Sequence, residues 1–406
     1  MNILWLKTGP LHPLDSGGKL RTYNMLRQLR RNHQVTYLSH FPEGTDESTQ
    51  TQASEYSSHH IWVRWREASK GSPAFAWQLL RNLLFSSRPY IIDKYFSASY
   101  VDALRHQLDC GGHDLVICDF PAPSLNLLRV GRESTKIPTI LFQHNVEAMI
   151  WKRLAEAAGN PLKKAYFENQ WQRMVRYERK ICEFCDGVIA VSPEDAQTMR
   201  NEYGLSNVLG DVPTGVDSDQ FQQVRRERLP GNIVFLGSMD WMPNIDAVQW
   251  FVQQIYPLVC ERLPNATLSI VGRRPDPSVL ALGKADATIK VTGTVPDVRP
   301  YLAEGSVCVV PLRAGGGTRI KIFEAMAAGI PVVSTRIGAE GLPVEDGTHC
   351  FLADDPRAFA NRVIDVLQGA PATGQMAATA AKLVREKFDW EHVTSIFEKL
   401  CQEVLP

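Results

Sequence analysis

Short runs of aliphatic and β-branched residues alternate along the chain with longer stretches that are apolar on one side only. Asn2–Leu6 is followed by an amphipathic stretch from Gly18 to Asn32 and then by Gln34–Ser39, which predicts strand, helix, strand. His60–Arg64, Asp114–Asp119, Thr139–Gln143 and Gly187–Val191 are further runs of strand length. Continuous apolar strands separated by helices predict a parallel sheet covered on both faces. Between Leu205 and Leu229, Pro, Gly, Asp and charge break any period, which places a linker there. A second series then opens with Asn232–Leu236, a helix over Ala247–Leu263, Thr267–Val271, Ile289–Thr292 and Val307–Pro311. It continues with a helix over Arg319–Ala328, then Pro331–Ser334 and Cys350–Leu352, and Phe388–Leu405 is a closing amphipathic helix. The pattern predicts two doubly wound α/β domains, residues 1–213 and 214–375, with a terminal segment 376–406 packing back on the first. Their ligand is expected in a cleft facing the carboxyl ends of the strands.

Composition narrows the function. The 406 residues suffice for two domains, and Lys plus Arg (44) balance Asp plus Glu (44), so no net field draws the chain to nucleic acid. Eight cysteines are too sparse for a disulfide framework and fit a reducing cytoplasm. The N-terminus reads as a first strand rather than a signal peptide, and no run reaches the roughly 20 apolar residues of a membrane span. From Trp151 to Lys180, eight basic residues stand against three acidic ones, interleaved with Trp151, Tyr166, Phe167 and Trp171. This segment is either a solvated amphipathic helix or a surface resting on an anionic membrane. Trp77–Tyr95, rich in leucine, is a second candidate surface element.

The strongest local signal is PLRAGGGTRIKIFEAMAAGIP over residues 311–331. Gly315, Gly316 and Gly317 allow a tight turn that brings backbone N–H groups to an anion, and the helix starting near Thr318 adds its positive end. Arg319 and Lys321 fall in the first helical turn, where cations oppose the helix dipole unless an anion offsets them. Glu324 follows on that helix, where its carboxylate suits vicinal hydroxyls such as those of a ribose. The alternative is a plain strand-to-helix loop with a solvated charged face. In the first half, Gly17 and Gly18 open a helix after the first strand, and His144 follows the Thr139–Gln143 strand, where α/β proteins bind ligands. Gly17 and Gly18 read equally as a plain helix turn, and a lone histidine is more often a structural hydrogen-bonder than a ligand-binding group. Cys182 and Cys185 are a lone C-x-x-C without further ligands and read as core, and no metal is expected.

The 311–331 segment resembles the retaining GT-B glycosyltransferases, in particular the large family 4, and within it a subset associated with exopolysaccharide biosynthesis that carries G-G-G-T-R-x-K-x-x-E-A-M and G-x-M-x-W-x-P-N. Thr214-Gly215-Val216-Asp217 with Phe221, Phe235-Leu236-Gly237, Val271-Gly272, Thr292-Gly293-Thr294-Val295 and Ala190-Val191-Ser192 extend the resemblance along nearly the whole chain. It implies two Rossmann-like domains facing across a cleft and transfer of a sugar, with retention and without metal, from a nucleotide diphosphate sugar to a hydroxyl acceptor. It places Arg319 and Lys321 on the diphosphate, Glu324 on the ribose, and Gly237 with Gly315–Gly317 and Thr318 along the donor. Gly17, Gly18 and His144 fall on the sugar side, His144 donating to a hydroxyl. Two departures stand out. Gly316 occupies the place of the first glutamate of the family's E-x7-E, and Ser238–Asn244 lacks the Arg and Lys that often follow Gly237.

The resemblance implies a UDP- or GDP-sugar donor and a hydroxyl acceptor, with a lipid-linked saccharide and peripheral contact with the inner face of the membrane as open possibilities for a cytoplasmic protein. Rival readings are an epimerase or phosphorylase of the same fold, and a non-catalytic nucleotide-sugar-binding subunit.

Overall fold

The apolar runs of the first half form seven strands: β1 (Asn2–Lys7), β2 (Gln34–Pro42), β3 (His59–Trp65), β4 (Leu115–Asp119), β5 (Thr139–Phe142), β6 (Gly187–Ala190) and β7 (Val208–Asp211). All pair in parallel, in the order β3-β2-β1-β4-β5-β6-β7. Six more follow: β8 (Asn232–Leu236), β9 (Thr267–Val271), β10 (Ile289–Val291), β11 (Val307–Val310), β12 (Val332–Ser334) and β13 (Phe351–Leu352). They form a second parallel sheet, β10-β9-β8-β11-β12-β13. Each sheet reverses its strand order beside its first strand, between β1 and β4 and between β8 and β11. In doubly wound sheets that reversal opens a crevice at the strands' carboxyl ends.

The computed structural model describes the chain except residues 15, 70, 157–159, 224–227 and 315–319. It divides into two compact units, Met1–Pro213 with Val393–Pro406, and Thr214–His392. Strands β4, β5 and β6 are buried at every residue, as sheets covered on both faces require. Five helices start with one device, a polar cap followed by proline: Ser72-Pro73, Asn160-Pro161, Ser192-Pro193, Asp276-Pro277 and Asp355-Pro356. In each, the cap side chain accepts a first-turn N–H while the proline occupies a position whose N–H has no helical partner.

Three expectations change. The stretch Leu205–Leu229, read as linker, contains β7, an edge strand of four residues, and the helix Ser218–Gln222 capped by Asp217; both are too short to show a period. The helix expected over Ala247–Leu263 begins at Met242 and passes through a π turn, Phe251–Ile255, in which the Tyr256 N–H reaches the Phe251 carbonyl. Pro257 follows directly, and widening the helix before it relieves the clash a proline ring causes in an α-helix. The terminal segment does not divide at residue 376. Helix Pro371–Lys387 buries Met376, Ala380 and Val384 in the second core, and only Val393–Pro406 belongs to the first unit. There Phe397 packs on Trp5 and Phe142, with ring centroids at 5.8 and 5.1 Å.

Candidate functional site

At the order reversal of the first sheet, β1 ends in Lys7 and β4 ends in Asp119. Asp119 is fully buried and gathers the neighbouring polar groups. Its Oδ2 lies 2.8 Å from Lys7 Nζ and accepts from Trp5 Nε1 at 2.9 Å and from Thr22 Oγ1 at 2.7 Å. Its Oδ1 lies 2.8 Å from His144 Nε2, a close approach at an angle outside that of a hydrogen bond. Burial alone would raise the Asp119 carboxyl, but Lys7 and His144 overturn that and hold it well below the usual range. Lys7 is the charge that counts at neutral pH, because burial lowers His144 to about 4 against the pull of Asp119.

Gly17 and Gly18 begin the helix Gly17–Leu29, and the Ser16 side chain does not cap it. A Cβ on Gly18 would sit 3.4 Å from His144 Nδ1, so the glycine leaves that ring nitrogen uncovered. Arg21, one turn on, is buried beneath, donates to the Val212 carbonyl and stacks 4.7 Å from the Phe142 ring. Behind His144, the buried Glu178 accepts from the Glu147 and Ala148 N–H groups at 2.8 and 3.0 Å and from Tyr203 Oη at 2.8 Å. A carboxylate from a different helix thus caps the helix Glu147–Glu156. Burial pushes both Glu178 and Glu147 up to about 7.

In the second sheet, the Gly237 N–H donates to the Val271 carbonyl at 3.0 Å. A Cβ on Gly272 would fall 1.7 Å from the Gly237 carbonyl oxygen, so only glycine lets these two strand ends approach. On the other side of Gly237 lie Asn244 Nδ2 and Lys321 Nζ, 2.7 and 3.0 Å from where a Cβ would be. Lys321, in the helix Ile320–Ala327, donates to Asn244 Oδ1 at 2.8 Å and lies 4.8 Å from the Phe235 ring centroid. Asn244 Nδ2 in turn donates to the Ser238 carbonyl at 2.9 Å. Glu324 is three residues further along that helix and half-buried. Burial pushes its carboxyl up to about 7, with Lys321 opposing. Among the described residues no group donates to it.

Both reversal points therefore carry a cation at a strand end, a glycine that leaves room, and a carboxyl withdrawn from water. A family model for glycosyltransferase family 4 matches residues 16–220, half of the 406-residue chain. The chain belongs to glycosyltransferase family 4. A second model, glycosyl transferases group 1, matches residues 230–369 of this family 4 chain. An uncharacterized 44.6 kDa protein in the cps region of Klebsiella pneumoniae is 22% identical over 64% of this chain and 68% of its own length. A phosphatidyl-myo-inositol mannosyltransferase of Mycobacterium tuberculosis is 29% identical over 54% of this chain; the match spans 60% of that enzyme. HepE of Anabaena, solved in complex with UDP, matches with a TM-score of 0.66 at 15% identity over 99% of this chain and 100% of its own. That likeness is one of fold, and the fold is GT-B.

Of the residues nominated in this family 4 sequence, His144 and Gly18 come together, with Gly17 beside them, and Gly237 meets Lys321. Glu324 shares Lys321's helix. Gly315, Gly316, Gly317, Thr318 and Arg319 lie outside the described residues. Asn244, noted in the sequence only because the family's basic pair is missing there, holds the Lys321 amine. Asp119, Lys7, Trp5 and Thr22 were not nominated. The signal for Asp119 was a carboxylate closing an otherwise apolar strand, LVICD, at the end where ligands bind. Cys182 and Cys185 are buried, and burial raises both thiols.

Proposed function

We propose that this chain is a retaining, metal-independent hexosyltransferase that moves a sugar from a UDP- or GDP-sugar to a hydroxyl acceptor in polysaccharide or glycolipid assembly. The observation that carries the reading is the Lys321 amine held against Gly237 at the reversal point of the second sheet, with the donor-poor Glu324 one turn away. A cation at a glycine turn suits a diphosphate, and a carboxyl lacking donors suits vicinal hydroxyls. Lys321 with Arg319 thus stands in for the basic pair absent after Gly237, while Gly315–Gly317 and Thr318 line the donor through their backbone. In the first unit, His144, Gly17 and Gly18 take the sugar side. Transfer then relies on positioning and on stabilising charge at the leaving diphosphate. The names of the relatives support the substrate class: one is a mannosyltransferase of a phosphatidyl-myo-inositol, and HepE has also been solved with UDP-glucose.

A lipid-linked acceptor fits the surface of the first unit. The helix Pro73–Phe85 exposes Trp77 (61%), Leu84 (62%) and Phe85 (80%), and the helix from Pro161 exposes Leu162 beside Lys163 and Lys164. Apolar side chains beside lysines suit peripheral contact with an anionic leaflet. No helix among the described residues is long and apolar enough to cross a membrane.

Thermal shift with UDP, GDP, ADP and their sugars tests the donor site. A ligand at a hundred times its Kd adds about 2.7 kcal/mol of stability. We expect one base to raise Tm and the Lys321→Ala variant to lose most of that rise; no rise with any base would overturn the reading. Binding of a donor with no transfer to any membrane or saccharide extract would leave a nucleotide-sugar-binding subunit instead.

A further inference from the structure

Asp119 treats its two carboxylate oxygens unequally. Oδ2 has three partners, Lys7 Nζ, Trp5 Nε1 and Thr22 Oγ1, all within 2.9 Å. Lys7 Nζ also donates to Thr22 Oγ1 at 3.0 Å, which ties the three elements into one knot. Among the described residues Oδ1 approaches His144 Nε2, at 2.8 Å, without hydrogen-bond geometry. Rotating the carboxylate toward any other partner would give up all three bonds on Oδ2, so its direction is set before His144 arrives.

The short contact fixes where the ring carries its proton. A bare ring nitrogen 2.8 Å from a carboxylate oxygen would set two lone pairs against each other, so the contact is attractive only when Nε2 is protonated. Burial of the ring disfavours a second proton on it, and Lys7 on β1 and Arg21 on the helix Gly17–Leu29 add to that against the opposing charge of Asp119. The ring is therefore neutral, and Nδ1 carries a lone pair. Nε2 is sealed from solvent, whereas the side chain keeps 11% of its surface exposed and Nδ1 lies at the gap left by Gly18.

We propose that Asp119 is the positioning residue of the first unit's site: its carboxylate oxygen, 2.8 Å from His144 Nε2, sets the tautomer of the ring by its charge, so that Nδ1 accepts a hydrogen bond from a substrate hydroxyl beside the Gly17–Gly18 helix start. This reverses the polarity expected from the sequence, in which His144 donates. The role in transfer rests on the glycosyltransferase reading above; the tautomer rests on the local geometry alone. It also gives Lys7 a function that needs no contact with substrate. Its charge keeps a buried carboxylate ionised and therefore able to accept only, never to donate to the ring.

Two readouts test the proposal. In long-range ¹⁵N–¹H spectra of histidine-labelled full-length protein, the His144 signal is identified by its loss in His144→Gln. We expect the wild type to show protonated Nε2 and bare Nδ1, and Asp119→Asn to lose that preference. In sugar transfer, Asp119→Asn should lower kcat by about 10²-fold or more, within the range by which positioned proton-handling groups contribute, while the affinity for UDP or GDP without its sugar, which the reading assigns to Lys321 and Glu324, stays within about threefold. Should that single variant fail to fold, Lys7→Met combined with Asp119→Asn removes both buried charges and carries the same measurements. A protonated Nδ1 in the wild type, or an Asp119→Asn enzyme with kcat within threefold of wild type, overturns the proposal. A wild type that transfers no sugar defeats the functional reading and the transfer half with it, while the spectrum still decides the tautomer.

Discussion

Asp119 and Glu324 are both carboxyls withdrawn from water near the strand reversal of a parallel sheet, and they are pushed in opposite directions. Burial acts on both toward protonation. Asp119 escapes it because Lys7, His144, Trp5 and Thr22 all turn toward it. Glu324 does not, because Lys321 is directed at Asn244 instead and no other described group donates to the carboxyl. The contrast separates a finished part of the fold from an unfinished one. Asp119 Oδ2 accepts from Trp5 and Thr22 and faces Lys7, and so ties its neighbours together, whereas among the described residues nothing donates to Glu324.

The sharpest way to break this comparison is to delete each carboxyl. Asp119→Ala leaves the Lys7 charge uncompensated in a buried setting and should cost the first unit about 3–5 kcal/mol, read as a drop in its urea midpoint. A loss below about 1 kcal/mol would mean that Lys7 relaxes into water and that Asp119 is not an anchor. Glu324→Gln should match wild type in stability below pH 4.5 and exceed it at neutral pH, where the wild-type carboxyl must ionise in a buried setting. Its donor affinity should fall about tenfold, some 1.4 kcal/mol, by titration calorimetry. A stability loss equal to that of Asp119→Ala would erase the distinction.

Acidity sharpens it further. Glu324 titrates near 7 in the fold against an ordinary 4.5, so between those values the native unit keeps a proton that the unfolded chain has released. Its stabilising contribution is complete below pH 4.5 and is lost as pH rises through 7. Asp119 runs the other way: its depressed carboxyl contributes fully above its ordinary 3.8 and loses that contribution only as pH falls below it. Unfolding of Glu324→Gln across this range should show a flatter pH dependence than wild type. The smallest effect on stability is expected at the surface. Trp77→Ser with Phe85→Ser should leave the unfolding free energy unchanged within about 0.5 kcal/mol while reducing co-sedimentation with anionic vesicles; an unchanged vesicle-bound fraction would remove the membrane surface from the reading.

The parallel sheets were legible because continuous apolar runs such as TILF and GVIA have no other stable placement than a sheet buried on both faces. His144 and Gly18 were legible singly, each from its place just past a strand, and the fold brings them into contact. What could not be read is pairing at a distance. Thr22 and Asp119 are 97 residues apart, and Asn244 and Lys321 are 77 apart. No local period or spacing encodes such a partnership, since it follows from which strands become neighbours at the reversal of order. Pro257 was visible, but a π turn that accommodates it reads as ordinary helix until the hydrogen bonds are seen.

The segment Val393–Pro406 has a consequence in time. It supplies Phe397 to a core whose other members, Trp5 and Phe142, are made hundreds of residues earlier. On the ribosome the first unit therefore waits, with apolar surface around β1 and β5 unfilled, while the whole of the second is synthesised and free to fold. The chain's earliest strand is completed by some of its latest residues, so folding of the first unit is governed by a long-range closure rather than by its own local contacts. A fragment ending at Pro213 would hold that waiting state indefinitely and offer its uncovered aromatic rings to aggregation.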